Sequence, residues 1–386
     1  MTSILEDRTD RRPIGACSID PAFWQGQRVL VTGHTGFKGA WACLLLSELG
    51  ADVMGLSLPP DEPSLYTQTE IKSRISQNHL IDLADLEAVR SAIKATQPKI
   101  VLHFAAQSLV RRAHRNPVET MRSNVLGTVH LLEALRSCTS VRQVLITTTD
   151  KVYHNAEHGL PFREGDRIGG HEPYSASKSA AEMVIAAYRS SYFAKLGIPI
   201  LVARAGNVIG GGDWCEDRII PDIVRSIISH IPLNVRRPNA VRPWQHVLDA
   251  LEGYLLLIQS ASHAAPDATL EPEHAAWNFG PDVEDHMPTV EDICKIAQRR
   301  WPNRFQWSHI ADPYDINESQ LLLLDPSRAM NELGWRPRLA VSDALNETFE
   351  WYRRFVDGED AKLLCAEEIA KQIRVRVETM NRRQPT

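Results

Sequence analysis

Residues 27–49 read QRVLVTGHTGFKGAWACLLLSEL, and this stretch decides the fold class. Gln27 to Thr32 is a short apolar run rich in β-branched residues, the composition of a buried strand. Gly33, Gly36 and Gly39 follow at intervals of three, and an apolar helical pattern runs from Gly39 to Leu49. Glycine permits a tight strand-to-helix turn and lets a backbone approach a pyrophosphate. The helix N-terminus behind it offers free N–H groups and a positive dipole end to phosphate. A glycine trio alone is weak, but between a strand and a helix it points to a dinucleotide held by Gly33, Thr35, Gly36, Phe37, Lys38 and Gly39.

Outward from this turn, strand-like and helical segments alternate. Asp52 to Leu56, His79 to Ile81, Ile100 to Phe104, Val144 to Thr149 and Ile200 to Ala203 are apolar runs of strand length. Helical patterns lie between them at Leu83 to Ala95, Pro117 to Leu135 and Tyr174 to Leu196. Strands apolar on both faces and separated by helices imply an α/β fold, a Rossmann-type doubly wound parallel sheet covered on both sides. After Gly206 the alternation is lost, and Gly210, Gly211 and Gly212 cluster together. A smaller mixed α/β lobe that binds substrate over the carboxyl ends of the strands is expected there. The expected division is an N-terminal extension over 1–24, a dinucleotide-binding domain over 25–206 with returns near 240–258 and 275–281, and a substrate lobe with C-terminal helices over 207–386. Ala261 to Glu273 reads as a surface excursion, and the tail from Ala366 as a charged helix or a frayed end.

At 386 residues the chain exceeds the usual size of one core, which agrees with two lobes. A net charge of -5 gives no global attraction to nucleic acid or to anionic lipid, so an anionic ligand must be held by local groups. The six cysteines have no CxxC spacing and the histidines no HExxH spacing, so free thiols and no metal site are expected. No apolar leader or membrane-length run is present, and a cytoplasmic protein is expected.

An acidic residue for the adenosine ribose is expected at the end of strand two, about 20 residues past the turn. Leu56-Ser57-Leu58 stand there, with neither carboxylate nor arginine, so this position does not select NAD over NADP. Asp82 is a candidate for the adenine side, or a helix-capping aspartate.

Tyr174 and Lys178, four apart at the start of a helical segment, share one face. An ammonium beside a phenol favours the phenolate, which can accept a proton from a sugar hydroxyl during oxidation. Thr149, Asp150 and Lys151 follow the run from Val144, at the carboxyl end of a strand. Thr149 can hydrogen-bond the same substrate oxygen, and Asp150 and Lys151 add an acid and a base. The bland readings are a YxxxK on a solvated face and a surface ion pair; the place in the fold favours function.

With these residues in hand, the chain resembles the extended short-chain dehydrogenase/reductases. The stretches that carry the likeness are VTGHTGFKG (31–39), HFAAQ (103–107), Asp150-Lys151, YSASK (174–178), RAGNVIGGGDW (204–214), RPWQHV (242–247), WNFG (277–280) and LGWRP (333–337), spanning roughly 23–352. Relatives acting on dTDP-glucose carry Asp-Glu where Asp150-Lys151 stand, which favours the branch that dehydrates CDP-glucose. The resemblance implies NAD as cofactor, Ala105, Ala106 and Gln107 along it, and a sugar nucleotide as substrate. It further implies that Tyr174, aided by Lys178 and Thr149, takes the proton of the sugar O4 while C4 is oxidised. Lys151 would then act as base at C5 and Asp150 as acid on the departing C6 hydroxyl, two neighbours that titrate as a unit.

By the same resemblance Asn207, Arg218 and Arg242 reach the diphosphate or ribose, with Arg236 and Arg237 as weaker candidates. Arg242 as a surface ion pair is the bland alternative. Gln107 and Asn124 fit the sugar and cofactor side, although Asn124 can equally buttress a strand by bonding its backbone. His103, inside a buried strand, reads as a satisfied core histidine. Trp214 and Trp244 line the crevice or pack the smaller lobe. The helical stretches Val118 to Leu135 and Ala176 to Lys195 pair across a dimer axis in relatives, so a homodimer or dimer of dimers is expected; intramolecular packing fits the sequence as well. An epimerase or reductase of the same superfamily would keep Tyr174 and Lys178 without needing residues 150 and 151, and a silent dinucleotide sensor would not need the tyrosine, lysine and threonine together.

Overall fold

The computed structural model describes residues 18–155, 159–263, 275–311 and 322–381, with side chains as far as Ile373. Seven strands form one sheet: β1 (Arg28–Thr32), β2 (Asp52–Ser57), β3 (Gln77–Leu80), β4 (Ile100–His103), β5 (Gln143–Thr147), β6 (Ile200–Ala205) and β7 (Ala276–Phe279). Their spatial order is β7-β6-β5-β4-β1-β2-β3, and every neighbouring pair is parallel. The order reverses beside β1, between β1 and β4, the topological switch point at which open α/β sheets bind ligands.

Alternate side chains feed two apolar cores, one on each face. Val29 and Val31 of β1, with Ile100 and Leu102 of β4, pack under the helix Phe37–Glu48 and the helix Val247–His263. Leu30 and Val101, one residue out of phase, pack on the other face with Val89 and Ile93 of Leu86–Thr96, Leu131 and Leu135 of Gly127–Arg136, and Ile185 of Pro173–Tyr188. The period-two exchange of faces in strands apolar throughout is what the sequence pattern demanded. Each such side chain, wholly buried, contributes about 1.5–3 kcal/mol from burial.

Two long helical stretches carry one π-helical turn each, at Arg122–Leu126 between Pro117–Met121 and Gly127–Arg136, and at Arg189–Phe193 after Pro173–Tyr188. The first turn holds Asn124. Beyond β6 the chain builds short two-stranded parallel pairs, Val208–Ile209 with Gln245–His246 and Leu233–Val235 with Trp307–His309. Helices Ile219–Ser229, Val290–Arg300, Ser327–Leu333, Val341–Val356 and Ala361–Asn381 complete this part. Tyr352 donates to the Asp213 carbonyl (2.6 Å) and Trp335 to the Asp249 carbonyl (3.0 Å), which ties the late segments to the cleft-forming ones.

Residues 1–17 of the expected extension and 264–273 of the expected surface excursion lie outside the described residues. Residues 18–24 are anchored: Trp24 is fully buried and its indole donates to Gln259 Oε1 at 2.8 Å. Cys43, Cys138, Cys215, Cys294 and Cys365 are free thiols. Among the described residues no helix is long and apolar enough to cross a membrane.

Candidate active site

A cleft of about 980 Å³ opens at the carboxyl ends of β1, β4, β5 and β6. It is lined by Gly33, Thr35, Gly36, Phe37, Lys38 and Gly39, by Asp82, Ala105, Ala106 and Gln107, by Thr149, Asp150, Lys151, Tyr174 and Lys178, and by Asn207, Arg218 and Arg242. Positions more than 200 residues apart thus share one wall, because every β–α turn of a parallel sheet opens on the same edge.

At the glycine turn, Gly33 adopts φ +74°, and a Cβ there would stand 2.6 Å from the Ala105 nitrogen. A Cβ on Gly39 would stand 2.1 Å from the Gly33 carbonyl oxygen. Gly36 caps the helix Phe37–Glu48 with no side-chain hydrogen bond, which leaves the first amides of the helix for a ligand. Thr35 Oγ1 pairs with Ser57 Oγ (2.7 Å) and donates to the Leu58 carbonyl (3.0 Å), joining the turn to the end of β2. Asp61 and Glu62 line the cleft just beyond. Asp82 accepts from the Ala84 amide (2.9 Å) and pairs with Arg122 (3.3 Å); the cap of Leu86–Thr96 is Asp85 instead. The free amides, the glycine cradle and the absence of intruding side chains suit a dinucleotide pyrophosphate.

Lys38 points inward from this turn. Its ammonium lies 3.4 Å from the Tyr254 hydroxyl, and burial, with Arg218 and Lys178 nearby, pulls its pKa down to about 7.

At the end of β5 three consecutive threonines are tied in three directions. The Thr147 carbonyl accepts from Lys178 Nζ (3.1 Å), Thr148 Oγ1 donates to Glu182 (2.6 Å), and Thr149 Oγ1 donates to Asp150 Oδ1 (2.8 Å). Asp150 opens a 3-10 turn, Asp150–Val152, and is buried; burial pushes its carboxyl up, while Lys151, Thr149 and Arg242 pull it down. Tyr174 lies in the first turn of Pro173–Tyr188, whose cap Glu172 accepts from the Tyr174 and Ser175 amides (both 2.7 Å). The sequence led us to expect a lowered phenol, but burial pushes Tyr174 up to about 12, outweighing the Thr149 hydrogen bond and the Arg218 charge. Burial also brings Lys178 down to about 8, opposed by Glu182.

Two residues expected on the substrate side are engaged within the wall of the cleft. Asn124 does not line the cleft: its side-chain amide donates to the Gln107 carbonyl (2.9 Å) and Ser177 Oγ (2.8 Å), and its oxygen accepts from the Gln107 amide (2.8 Å). It buttresses the strand end, which was the alternative reading of this residue. Gln107 lines the cleft, but its side chain is committed to Leu109 and Thr120. His103 bonds Thr32 (2.6 Å) and Thr128 (3.3 Å), and burial drives its pKa down to about 3, as fits a core histidine. Trp244 is buried yet borders the cleft, and Trp214 does both jobs, bonding Gln68 (3.0 Å) and packing on Tyr352.

Arg218 bridges Asp213 (2.9 Å) and Ser108 (3.0 Å), and its charge favours the ionised form of Tyr174. Arg242 is close enough to Asp150 to favour its ionised form. At the rim Asp217 gathers Arg236 (2.8 Å), Arg115 (3.8 Å) and Arg111 (3.9 Å). Ser108, Arg111, Asp213, Asp217, Glu182 and Tyr254 were not singled out from the sequence. Only Glu182, four residues past Lys178, had a spacing that could have drawn attention.

Comparison with known proteins agrees with this geometry. Residues 30–348 match the sequence model of the GDP-mannose 4,6 dehydratase family. The chain is 40% identical to the CDP-glucose 4,6-dehydratase of Salmonella typhimurium over 358 residues, covering 91% of this chain and 98% of that protein. It is 27% identical to a dTDP-glucose 4,6-dehydratase of Xanthomonas campestris, covering 84% and 92%. In fold it is similar to a UDP-glucose-4-epimerase of Stenotrophomonas maltophila solved with NAD and a formylated UDP-arabinopyranose, with a TM-score of 0.72 at 21% identity over 86% of this chain and 100% of that one. Strand order, glycine turn, Tyr-x-x-x-Lys helix and family match converge: this chain belongs to the GDP-mannose 4,6-dehydratase family of extended short-chain dehydrogenases/reductases.

Proposed function

We propose that this chain is an NAD-dependent CDP-glucose 4,6-dehydratase, converting CDP-glucose to CDP-4-keto-6-deoxyglucose and water. The observation that carries the reading is the convergence of Tyr174, Lys178, Thr149, Asp150 and Lys151 on one cleft edge, in a chain 40% identical to a CDP-glucose 4,6-dehydratase over almost its whole length. An epimerase has no use for a buried acid and an adjacent base beside the phenol.

The turn Gly33–Gly39, with Ala105 and Ala106 facing it, would hold NAD, which when bound would supply a reversible hydride acceptor for oxidation at the sugar C4 and reduction at C6. Tyr174 takes the proton of the O4 hydroxyl, with Thr149 bonded to the same oxygen and Lys178 favouring the phenolate. A ketone at C4 acidifies the C5 proton. Lys151, partly exposed at the cleft, accepts that proton. Asp150 has a carboxyl raised by burial, the direction a general acid needs, and it protonates the departing C6 hydroxyl. Asn207, Arg218 and Arg242 line the substrate side, where guanidinium groups suit a diphosphate.

The protein works in the cytoplasm as a homodimer. Exposed apolar residues along the two π-interrupted helical stretches support the dimer: Val118 (81% exposed) and Met183 (61%), together with Met121, Leu126, Tyr192 and Leu196. A contiguous exposed apolar patch is the usual mark of an interface.

The test is incubation of the purified protein with CDP-glucose and NAD, without another electron acceptor. A 4-keto-6-deoxy product with no net accumulation of reduced cofactor is expected. Turnover of dTDP- or UDP-glucose in preference to CDP-glucose would overturn the assignment of the base, and an isomerised but undehydrated sugar would overturn the reaction class.

A further inference from the structure

We propose that Glu182 is a positioning residue for this reaction, clamping the catalytic end of β5 to the helix of Tyr174 and Lys178 and placing a fixed negative charge one turn beyond Lys178. The inference rests on the catalytic reading above.

Tyr174, Lys178 and Glu182 are spaced by four, so they share one face of Pro173–Tyr188. Glu182 is 7% exposed, and its carboxylate is fully engaged. Oε1 accepts from Thr148 Oγ1 (2.6 Å) and from Arg204 Nε (2.9 Å); Oε2 takes the second arm of the Arg204 guanidinium. Arg204 in turn donates to the Tyr153 hydroxyl (2.9 Å) and the Glu164 carbonyl (3.0 Å), and Tyr153 donates to Asn278 (2.8 Å). One carboxylate therefore reaches Thr148, next to Thr149, and through Arg204 reaches Tyr153, just past Asp150 and Lys151.

The fold alone does not require this arrangement. A buried ion pair carries a desolvation penalty that apolar side chains of similar volume avoid. What apolar side chains cannot supply is a carboxylate beside a buried lysine. Burial destabilises the Lys178 ammonium, and Glu182 is the neighbouring charge that opposes the loss of its proton. The charged lysine is the form that favours the phenolate, so Glu182 acts on the chemistry through Lys178 without touching substrate.

The measurement is kcat and KM for CDP-glucose across pH, for wild type, Glu182→Gln and Glu182→Asp. In Glu182→Gln the high-pH limb, where Lys178 loses its proton, is expected to move down by about half to one pH unit. A fall in kcat with little change in KM should accompany it, and Glu182→Asp should return the limb toward wild type. Because Glu182→Gln strands the Arg204 charge, the double variant Glu182→Gln/Arg204→Met provides a second test without an orphaned guanidinium. Thr148→Val removes the clamp but keeps the charge, and should lower kcat with the limb unmoved. A limb at the wild-type position in the charge-free variants overturns the proposal, as does an equal displacement in Thr148→Val. A wild type inactive on CDP-glucose would instead refute the functional reading. The proposal would then be decided by the Lys178 titration itself, followed by NMR on isotope-labelled dimethyl-lysine and assigned with Lys178→Arg. A Lys178 pKa unchanged by Glu182→Gln would overturn it there too.

Discussion

Replacing Gly39 with alanine tests the glycine turn most directly, because its consequence can be worked from distances. The added Cβ would stand 2.1 Å from the Gly33 carbonyl oxygen and 2.8 Å from the His34 Cα, both backbone atoms that cannot rotate away. Ordinary contact begins near 3.4 Å, so the turn and the helix Phe37–Glu48 must separate by about 1.3 Å (3.4 less 2.1). A misplacement of about 1 Å in a positioned site costs on the order of 100-fold, or roughly 2.7 kcal/mol. Gly36→Ala is the matched control: its Cβ meets only the Gly33 oxygen, at 3.4 Å, and so forces no separation. It should leave the melting temperature unchanged while placing a methyl group where the backbone must approach a phosphate. NAD affinity by calorimetry, thermal melts and kcat/KM distinguish the two. Gly39→Ala should lower both stability and NAD affinity, and Gly36→Ala affinity alone. Wild-type NAD affinity and melting temperature in Gly39→Ala would refute the reasoning that close packing of helix on strand builds the cofactor cradle.

Lys151→Met should lower kcat by about 100- to 10,000-fold while still permitting oxidation at C4, so reduced cofactor accumulates on mixing with CDP-glucose; a decrease in rate without that near-ultraviolet signal would remove Lys151 from the C5 step. Val118→Asp combined with Met183→Asp should convert the proposed dimer to monomer in analytical ultracentrifugation without loss of helical signal, and an unchanged mass would refute the assignment of this face as the interface. His103, held neutral by burial with a pKa of about 3 against the ordinary 6.5, makes the fold acid-sensitive. The unfolded chain binds the proton first, so stability present above pH 6.5 is lost as pH falls from there toward 3, by about 1.4 kcal/mol per pH unit from this group. Urea titrations over that range should show a shallower slope in His103→Gln, and an identical slope would mean that His103 is not the group responsible.

How much of this was legible in the chain depends on the range over which each signal acts. The β1–turn–helix unit was readable because all its constraints are local: apolar strand, glycines at three-residue spacing, helix start. Tyr174 and Lys178 were readable as a pair because helical periodicity alone puts them on one face. Their partner Thr149 was reached from its place after an apolar run, and the resemblance supplied roles that spacing could not. Asn124 and Gln107 show the limit. An amide that can face substrate can equally bond a backbone, and the choice depended on a π-helical turn that set Asn124 beneath the Gln107 peptide. No periodicity in the sequence announces that turn.

The sequence by itself determined the order of strands and helices, the position of the glycine turn and the identity of the phenol–lysine pair, since each follows from neighbours a few residues apart. Only the tertiary structure decided the electrostatics. A pKa depends on what surrounds a group in space, and those surroundings come from distant segments. Tyr174 is raised rather than lowered because the packed cleft removes water from the phenol, and burial in the same cleft raises the Asp150 carboxyl against the pull of Lys151, Thr149 and Arg242, the last of them 92 positions later in the chain. Lys38 meets Tyr254, and Glu182 meets Arg204, for the same reason: a parallel sheet gathers side chains from successive crossovers at one edge, and burial then makes each charge depend on the others.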